Sequence, residues 1–332
     1  MAMTQSTNSA QPSPLLENPH ISVVTPVYNG EAHIAECIES VLAQDYTNFE
    51  FIILNNASTD GTADILETFA RQDSRIRIER NDALLPIMEN WNHAVSLISN
   101  KSNYCKVLHA DDLLLTGALR DFATTAANFP NATLIGAYRI EGVGVSMDSI
   151  PYPQQLIPGR ELARALLKNQ RFRDQFGSPT SVMYRADCVR DTAEFYDPSN
   201  FHADQQVCFD LLAKGDYAFV HKALTYTRRH DGAETPQAKA MHTHALGFLK
   251  TLRRKGPLFL TAAELEEATH LRLRAYYRRL ARGLAFVRNK KFRDYHMEGL
   301  RSIGLKFSPL RFAYAAFFEA LIRVVGWLRK FG

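Results

Sequence analysis

Two adjacent carboxylates, Asp111 and Asp112, close the segment His109-Ala110-Asp111-Asp112 directly after an apolar run, NYCKVLHA. Side by side they repel one another unless a cation lies close, and hard oxygen ligands suit Mg2+ or Mn2+. A metal there can bind a diphosphate and stabilise the charge that develops as the diphosphate departs. The alternative for the same pair is an N-cap on the following LLLTGAL. A second polar pair, Asn55-Asn56, ends FEFIILNN, and asparagines there equally suit a turn. Asp204, in FHADQQ, stands where a helix begins; a carboxylate at such a place is often only a cap.

The elements that must position these groups are legible in the periodicity. ISVVTPV is a short β-branched run, and in EAHIAECIESVLAQ the residues Ile34, Ile38, Val41 and Leu42 share one helical face. FEFIILNN, STDGTADILETFARQ, RIRIE, MENWNHAVSLIS and NYCKVLHA repeat the alternation of strand and helix. That order predicts an α/β fold with a mainly parallel sheet flanked by helices. Ligands of such sheets sit at the carboxyl ends of the strands, which selects Thr25–Asn29, Asn55–Asp60 and His109–Asp112. Past residue 141 the alternation weakens, with a loop-rich stretch, a helix near 160–168, a helix over Asp204–Lys214 and a strand near Tyr217–Val220. Helices alone are expected from about 238 onward.

With 332 residues, 46% of them hydrophobic, the chain can bury a large core, which excludes a disordered or collagen-like protein. The net charge of +4 conceals an asymmetry: from residue 250 onward there are 19 Lys+Arg against 6 Asp+Glu, so the earlier part is acidic and the later part basic. An acidic catalytic part fits a divalent metal, and a basic end fits an anionic surface or a solvated helical face. The four cysteines are scattered without a CxxC pair and read as reduced, buried thiols. Residues 1–19 read as a polar tail without the order of a secretory signal, so a cytoplasmic protein is expected. In the final segment Arg311, Glu319, Arg323, Arg329 and Lys330 fall within an arc of about 120°, too charged for a comfortable span. Residues 308–331 then suit either peripheral contact with the inner face of a membrane or packing on the domain or a second subunit, as in a homo-oligomer.

Four segments together carry a resemblance. SVVTPVYNGEAHIAECIESVLAQDYTNFEFIILNNASTDGT, ENWNHAV, VLHADDLL and HADQQVCFDLLAKGDYAFV leading to YTRRH resemble, in order, the family 2 glycosyltransferases of GT-A fold. The resemblance implies a GT-A domain over 20–235, a helical C-terminal region over 236–332, a nucleotide-sugar donor, and inverting transfer to a hydroxyl of a glycan or lipid-linked glycan. It implies that Thr25, Pro26, Tyr28, Asn29, Asn56, Asn90, His109, Ala110, Asp112 and Arg229 bind the donor. Asp111 takes the metal position with help from Asp112, with His230 added from the YTRRH segment. His109, where relatives carry an acid, is expected to face the ribose, and Asn56 to meet the base. An amide oxygen accepts from a pyrimidine N3–H without bringing charge, which favours UDP or dTDP over a guanine donor. Asp204 matches the carboxylate that takes the acceptor's proton.

A nucleotidyl-transfer enzyme would need a Gly-rich phosphate loop after the first strand, and none is present. Nucleic acid is not an expected partner, since no recognition motif accompanies the basic end. A non-catalytic sugar-nucleotide-binding protein on the same frame is the remaining alternative, since His109, Asn55 and Asn56 depart from the family's acids.

Overall fold

The computed structural model describes residues 17–169, 175–229, 240–282 and 285–331. Most of the 1–19 tail therefore lies outside the described residues.

Strands β1 (Ile21–Val27) and β2 (Phe49–Asn55) are apolar on both faces because helices cover both. Alternate side chains part to opposite sides: Val23, Phe51 and Ile53 face one core, while Val24, Ile52 and Leu54 face the other. Helix α1 (Ile34–Leu42) buries Ile34, Cys37, Ile38 and Val41, the expected stripe less Leu42 and plus Cys37. It is followed by α2 (Thr62–Gln72), β3 (Ile76–Arg80), α3 (Ile87–Ser96), β4 (Tyr104–Val107), β5 (Leu113–Leu114) and α4 (Ala118–Asn128). Strand β1 runs parallel to β2 and to β4, with Val27 level with Asn55 and Val24 level with Val107. The chain therefore leaves β1 and β4 at one edge of the sheet, and the loops that follow converge there.

The second half departs from simple alternation. It contains β6 (Ala132–Glu141), β7 (Gly144–Ser146), β8 (Leu156–Ile157), α5 (Gly159–Leu167), β9 (Val182–Arg185), α6 (Ala186–Arg190), α7 (Ala203–Lys214) and β10 (Asp216–Thr227). Among the described residues the sheet order is β3-β2-β1-β4-β9-β6-β10-β5, with β7 and β8 as side branches on β6 and β10. β9 runs antiparallel to both β4 and β6, so it joins two parallel groups. β10 is twelve residues long, well beyond the expected Tyr217–Val220, and register shifts at Val220/Ala223 and Ala223/Thr225 let it bend along β6. All four cysteines are free and buried, as their scattered spacing predicted.

The remaining described elements are helical: α8 (Thr243–Lys255), α9 (Ala262–Ala281), α10 (Ala285–Arg288), α11 (Lys290–Arg301) and α12 (Pro309–Phe331). The start of α9 is fixed by a reciprocal cap, in which the Thr261 hydroxyl accepts from Glu264 N at 3.3 Å and the Glu264 carboxylate accepts from Thr261 N at 3.0 Å. Glu264 also pairs with Arg164 at 2.6 Å and Lys168 at 3.1 Å, tying α9 to α5. These helices enclose their own core around Leu246, Leu249, Leu273, Tyr276 and Leu300. Within it Tyr276 Oη meets His296 Nδ1 at 2.9 Å, and burial pushes that imidazole down to about 4, so it stays neutral.

The helical region reaches the sheet domain through a close contact. A Cβ placed on Gly247 of α8 would lie 2.5 Å from the ring of His202, two residues before Asp204. Gly247→Leu therefore forces α8 or the His202 loop to move. Its expected cost is about 1–3 kcal/mol in stability, read as a lowered Tm, together with a fall in turnover that Gly247→Ala reproduces more weakly.

Candidate active site

A cleft of about 540 Å3 opens at the edge where β1 and β4 end. Its floor is built from Pro26, Tyr28 and Asn29 after β1 and from His109, Ala110, Asp111 and Asp112 after β4. Trp91 and Met88 of α3, with Asp204 and Arg228, complete the lining.

The loop after β1 is locked by the loop after β2. Asn29 holds a positive φ of 48°, a conformation asparagine tolerates, and its side chain accepts from Thr59 N at 2.9 Å. Gly30 N donates to Thr62 Oγ1 at 2.8 Å, and Glu31 N to Asp60 at 3.1 Å. The Asn55–Asp60 segment, expected to line the donor site, thus acts as a brace one layer behind the cleft.

Asn56 is buried, and its amide is already engaged. Its oxygen accepts from Asn81 Nδ2 at 2.7 Å and Leu85 N at 3.0 Å, and its nitrogen donates to Leu85 O at 2.9 Å. The acceptor assigned to a pyrimidine is thus used to order residues 81–85, because a buried amide takes the nearest backbone partners. Asn90 is likewise buried and accepts from the same Asn81 at 2.9 Å. Its neighbour Asn92 clamps the backbone of Tyr196 from both sides, at 2.7 and 2.8 Å. Between these two asparagines Trp91 turns into the cleft and lies 4.8 Å, centroid to centroid, from His109. Sequence reading missed Trp91 in ENWNHA; the residue type alone was the available signal.

Thr25 is wholly buried in β1, beneath the cleft. Asp112 is also buried, held by Thr180 Oγ1, which donates to it at 2.6 Å, and by Arg228 N, which donates at 3.1 Å. Thr180 Oγ1 accepts in turn from His109 N at 3.1 Å, so one hydroxyl sets both ends of the tetrapeptide. Below it the fully buried Lys106 donates to the carbonyls of Val107 and Thr180, and burial pushes its ammonium down to about 7. Burial also raises the Asp112 carboxyl, with Asp111 adding repulsion, while His109 and the two donors oppose the shift.

His109, expected to face the ribose, lines the cleft beside the two carboxylates. One ligand atom each of His109, Asp111 and Asp112 lie within 4.8 Å of one another, and His109 Nδ1 stands 3.9 Å from Asp112. His109 Nε2 is buried without a hydrogen-bond partner among the described residues. Two carboxylates and an imidazole with an uncommitted nitrogen fit a divalent cation.

Asp204 opens α7 and lines the same cleft. Burial pushes its carboxyl up to about 6, with hydrogen bonds from Gln205 and the nearby His109 pulling partly back. His202 beside it is held neutral by burial, down to about 4, and its Nε2 lies 3.0 Å from Thr243 Oγ1 at the head of α8. Of the two arginines after β10, Arg228 reaches the cleft: its Nε donates to Asp111 O at 3.2 Å and its guanidinium pairs with Glu36 at 2.5 Å. Arg229 is largely exposed and pairs at 3.0 Å with Glu141, itself a lining residue of the cleft, while not lining it directly. His230 lies outside the described residues.

An α/β sheet whose strand ends carry a carboxylate–imidazole cluster, with a raised carboxyl across one cleft, has the architecture of GT-A glycosyltransferases. Residues 22–190, half of the chain, match the family described as Glycosyl transferase family 2, and the chain belongs to that family. Its fold is shared with S. aureus TarS 1–349, solved with UDP-GlcNAc, at TM-score 0.64 and 18% identity, covering 89% of this chain and 87% of that one. It is shared also with the mannosyltransferase PcManGT of Pyrobaculum calidifontis, solved with GDP-Man and Mn2+, at TM-score 0.52 and 13% identity, covering 94% and 90%. Among sequence relatives, an uncharacterized protein of Mycobacterium tuberculosis is 27% identical over 241 residues, covering 69% of this chain and 73% of that one. An uncharacterized glycosyltransferase of Haemophilus influenzae is 33% identical over 124 residues, 37% of this chain and 38% of its own length. GlyG of Streptococcus pneumoniae is 33% identical over 94 residues, 28% of this chain and 31% of its own length, so the chain spans about a third of these two glycosyltransferases.

Proposed function

We propose that the protein is an inverting glycosyltransferase that moves a sugar from a UDP or dTDP donor to a hydroxyl of a glycan or lipid-linked glycan. The observation that carries this is the single cleft holding Asp204 together with His109, Asp111 and Asp112. In the reaction the acceptor oxygen attacks the anomeric carbon, its proton passes to the Asp204 carboxylate, and the bond to the donor diphosphate breaks to release the nucleoside diphosphate. Asp111, with His109 and Asp112, would hold Mn2+ or Mg2+, which supplies Lewis-acid stabilisation of the departing diphosphate. Arg228 brings a guanidinium to that side of the cleft.

Pro26, Tyr28 and Asn29 take the base and ribose, with Tyr28 half exposed as a stacking face. Thr25, Asn56 and Asn90 serve from behind by fixing the strand end and the 81–85 turn. TarS, which shares the fold, was solved with UDP-GlcNAc. Residues 20–235 carry this chemistry, and the helices of 236–332 buttress the Asp204 side.

The test is release of nucleoside diphosphate from a panel of UDP, dTDP and GDP sugars, with Mn2+, with Mg2+ and with chelator, beside thermal stabilisation by the same ligands. UDP or dTDP sugars should stabilise the protein and turn over in the presence of metal. Stabilisation without release for any acceptor would instead make this a non-catalytic sugar-nucleotide-binding protein, and no stabilisation by any donor would remove the donor site altogether.

A further inference from the structure

Helix α12 turns one charged residue of its arc, Glu319, inward. Glu319 is buried and paired with Arg278 of α9 at 2.9 Å and with Arg282, which caps the end of α9, at 3.3 Å. Ala315 is buried beside it. The opposite arc, about 120° wide at 100° per residue, is left to solvent. It bears Leu310 at 84% exposure, Tyr314 at 63% and Phe317 at 66%, with Phe318, Leu321 and Val324 also exposed. From Leu310 to Val325 this strip runs about 22 Å along the helix. Apolar surface of that extent on one face is a docking feature rather than scattered exposure.

The surroundings of the strip are strongly basic. Residues 270–332 hold 15 Lys+Arg and 3 Asp+Glu. Arg274, Arg278 and Arg311 stand at the edges of a groove of about 1120 Å3 between α9 and α12, whose floor includes Tyr277, Phe318 and Ile322. No helix among the described residues is long and apolar enough to cross a membrane.

We propose that the outward face of α12 docks on an anionic lipid bilayer, with its apolar strip at the acyl boundary and the arginines of α9 and α12 on lipid phosphates. Charge decides the occupant. Pairing the same face in two copies would bring two basic regions together, a repulsion that grows at low salt, whereas an anionic leaflet complements both the strip and its rim. The helix lies on the surface with Glu319 held by Arg278 and Arg282, which leaves its apolar strip facing away from the protein. This contact is independent of the transfer chemistry.

The experiment is co-sedimentation of the full chain with vesicles of phosphatidylcholine alone or with about one-third phosphatidylglycerol, beside sedimentation velocity without vesicles. The wild type should partition to the anionic vesicles, and the Phe317→Glu/Leu321→Glu variant should partition about tenfold less. Arg274→Glu/Arg311→Glu should lose the difference between the two lipids, and about 0.5 M NaCl should weaken wild-type binding. Equal Tm and equal donor stabilisation in all variants establish that each is folded. Failure of the wild type to bind anionic vesicles, equal binding by the Phe317→Glu/Leu321→Glu variant, or a solution dimer dissolved by that variant would overturn the proposal, the last by giving the face to self-association.

Discussion

Asp204→Asn lowers kcat by about 10³-fold, within the range for removal of a general base, while leaving donor binding near its wild-type strength. The size of the loss follows from the position of the group. Asp204 lies in the cleft with its carboxyl pushed up to about 6 by burial, so it is ionised at neutral pH and basic enough to receive a hydroxyl proton. The sign of the pH effect is fixed by the same shift. A raised carboxyl must lose its proton to act, so kcat/KM should rise with pH through about 6 and fall below it. The same group has an opposite effect on stability: with the folded carboxyl above its unfolded value, ionisation between about 4 and 6 disfavours the folded state. Asp204→Asn should therefore remove the acid limb from the residual activity and leave the protein no less stable at pH 7. A profile that keeps its limb near 6 in the variant would assign the proton transfer to another residue.

Asp111→Ala is expected to reduce kcat/KM by about 10²–10³-fold, the scale seen when a group stabilising developing charge is removed. It should also abolish the increment that Mn2+ adds to thermal stabilisation by the nucleoside diphosphate. Asp112→Ala should behave differently. Asp112 receives hydrogen bonds from Thr180 and from Arg228 N, so its loss leaves two donors unmet and lowers Tm as well as activity. If Asp111→Ala keeps full metal-dependent stabilisation, the cation site belongs elsewhere. Metal affinity should weaken as pH falls, because the ligands must be unprotonated and the Asp112 carboxyl is raised by burial.

How far the molecule was readable from its chain depends on the range of the contacts involved. β1, β2 and β4 announced themselves because strands covered on both faces must be apolar throughout, and the carboxylates at the end of β4 are local to that strand. Thr180 was invisible: it meets His109 across 71 residues, and nothing in SPTS signals that its hydroxyl bridges two groups of a distant loop. Asn56 illustrates the converse, since its type suited a base contact but Asn81 and Leu85 engage it first. The charged arc of α12 was legible as an arc. That Glu319 turns inward was not, because its partners lie 37 and 41 residues earlier, on α9 and at its C-terminal cap.

The place of β10 in the sheet bears on what can count as a self-sufficient piece of this chain. The family match ends at residue 190, yet β10 lies inside the sheet between β6 and β5, paired with β6 along nearly its whole length. A polypeptide stopping at 190 would carry the cluster of His109, Asp111 and Asp112 without Asp204 or Arg228, and would present the β6 backbone as an open, adhesive edge. The span of the family description and the folding unit therefore draw different boundaries here: the described stretch is shorter than the smallest unit that can close its sheet.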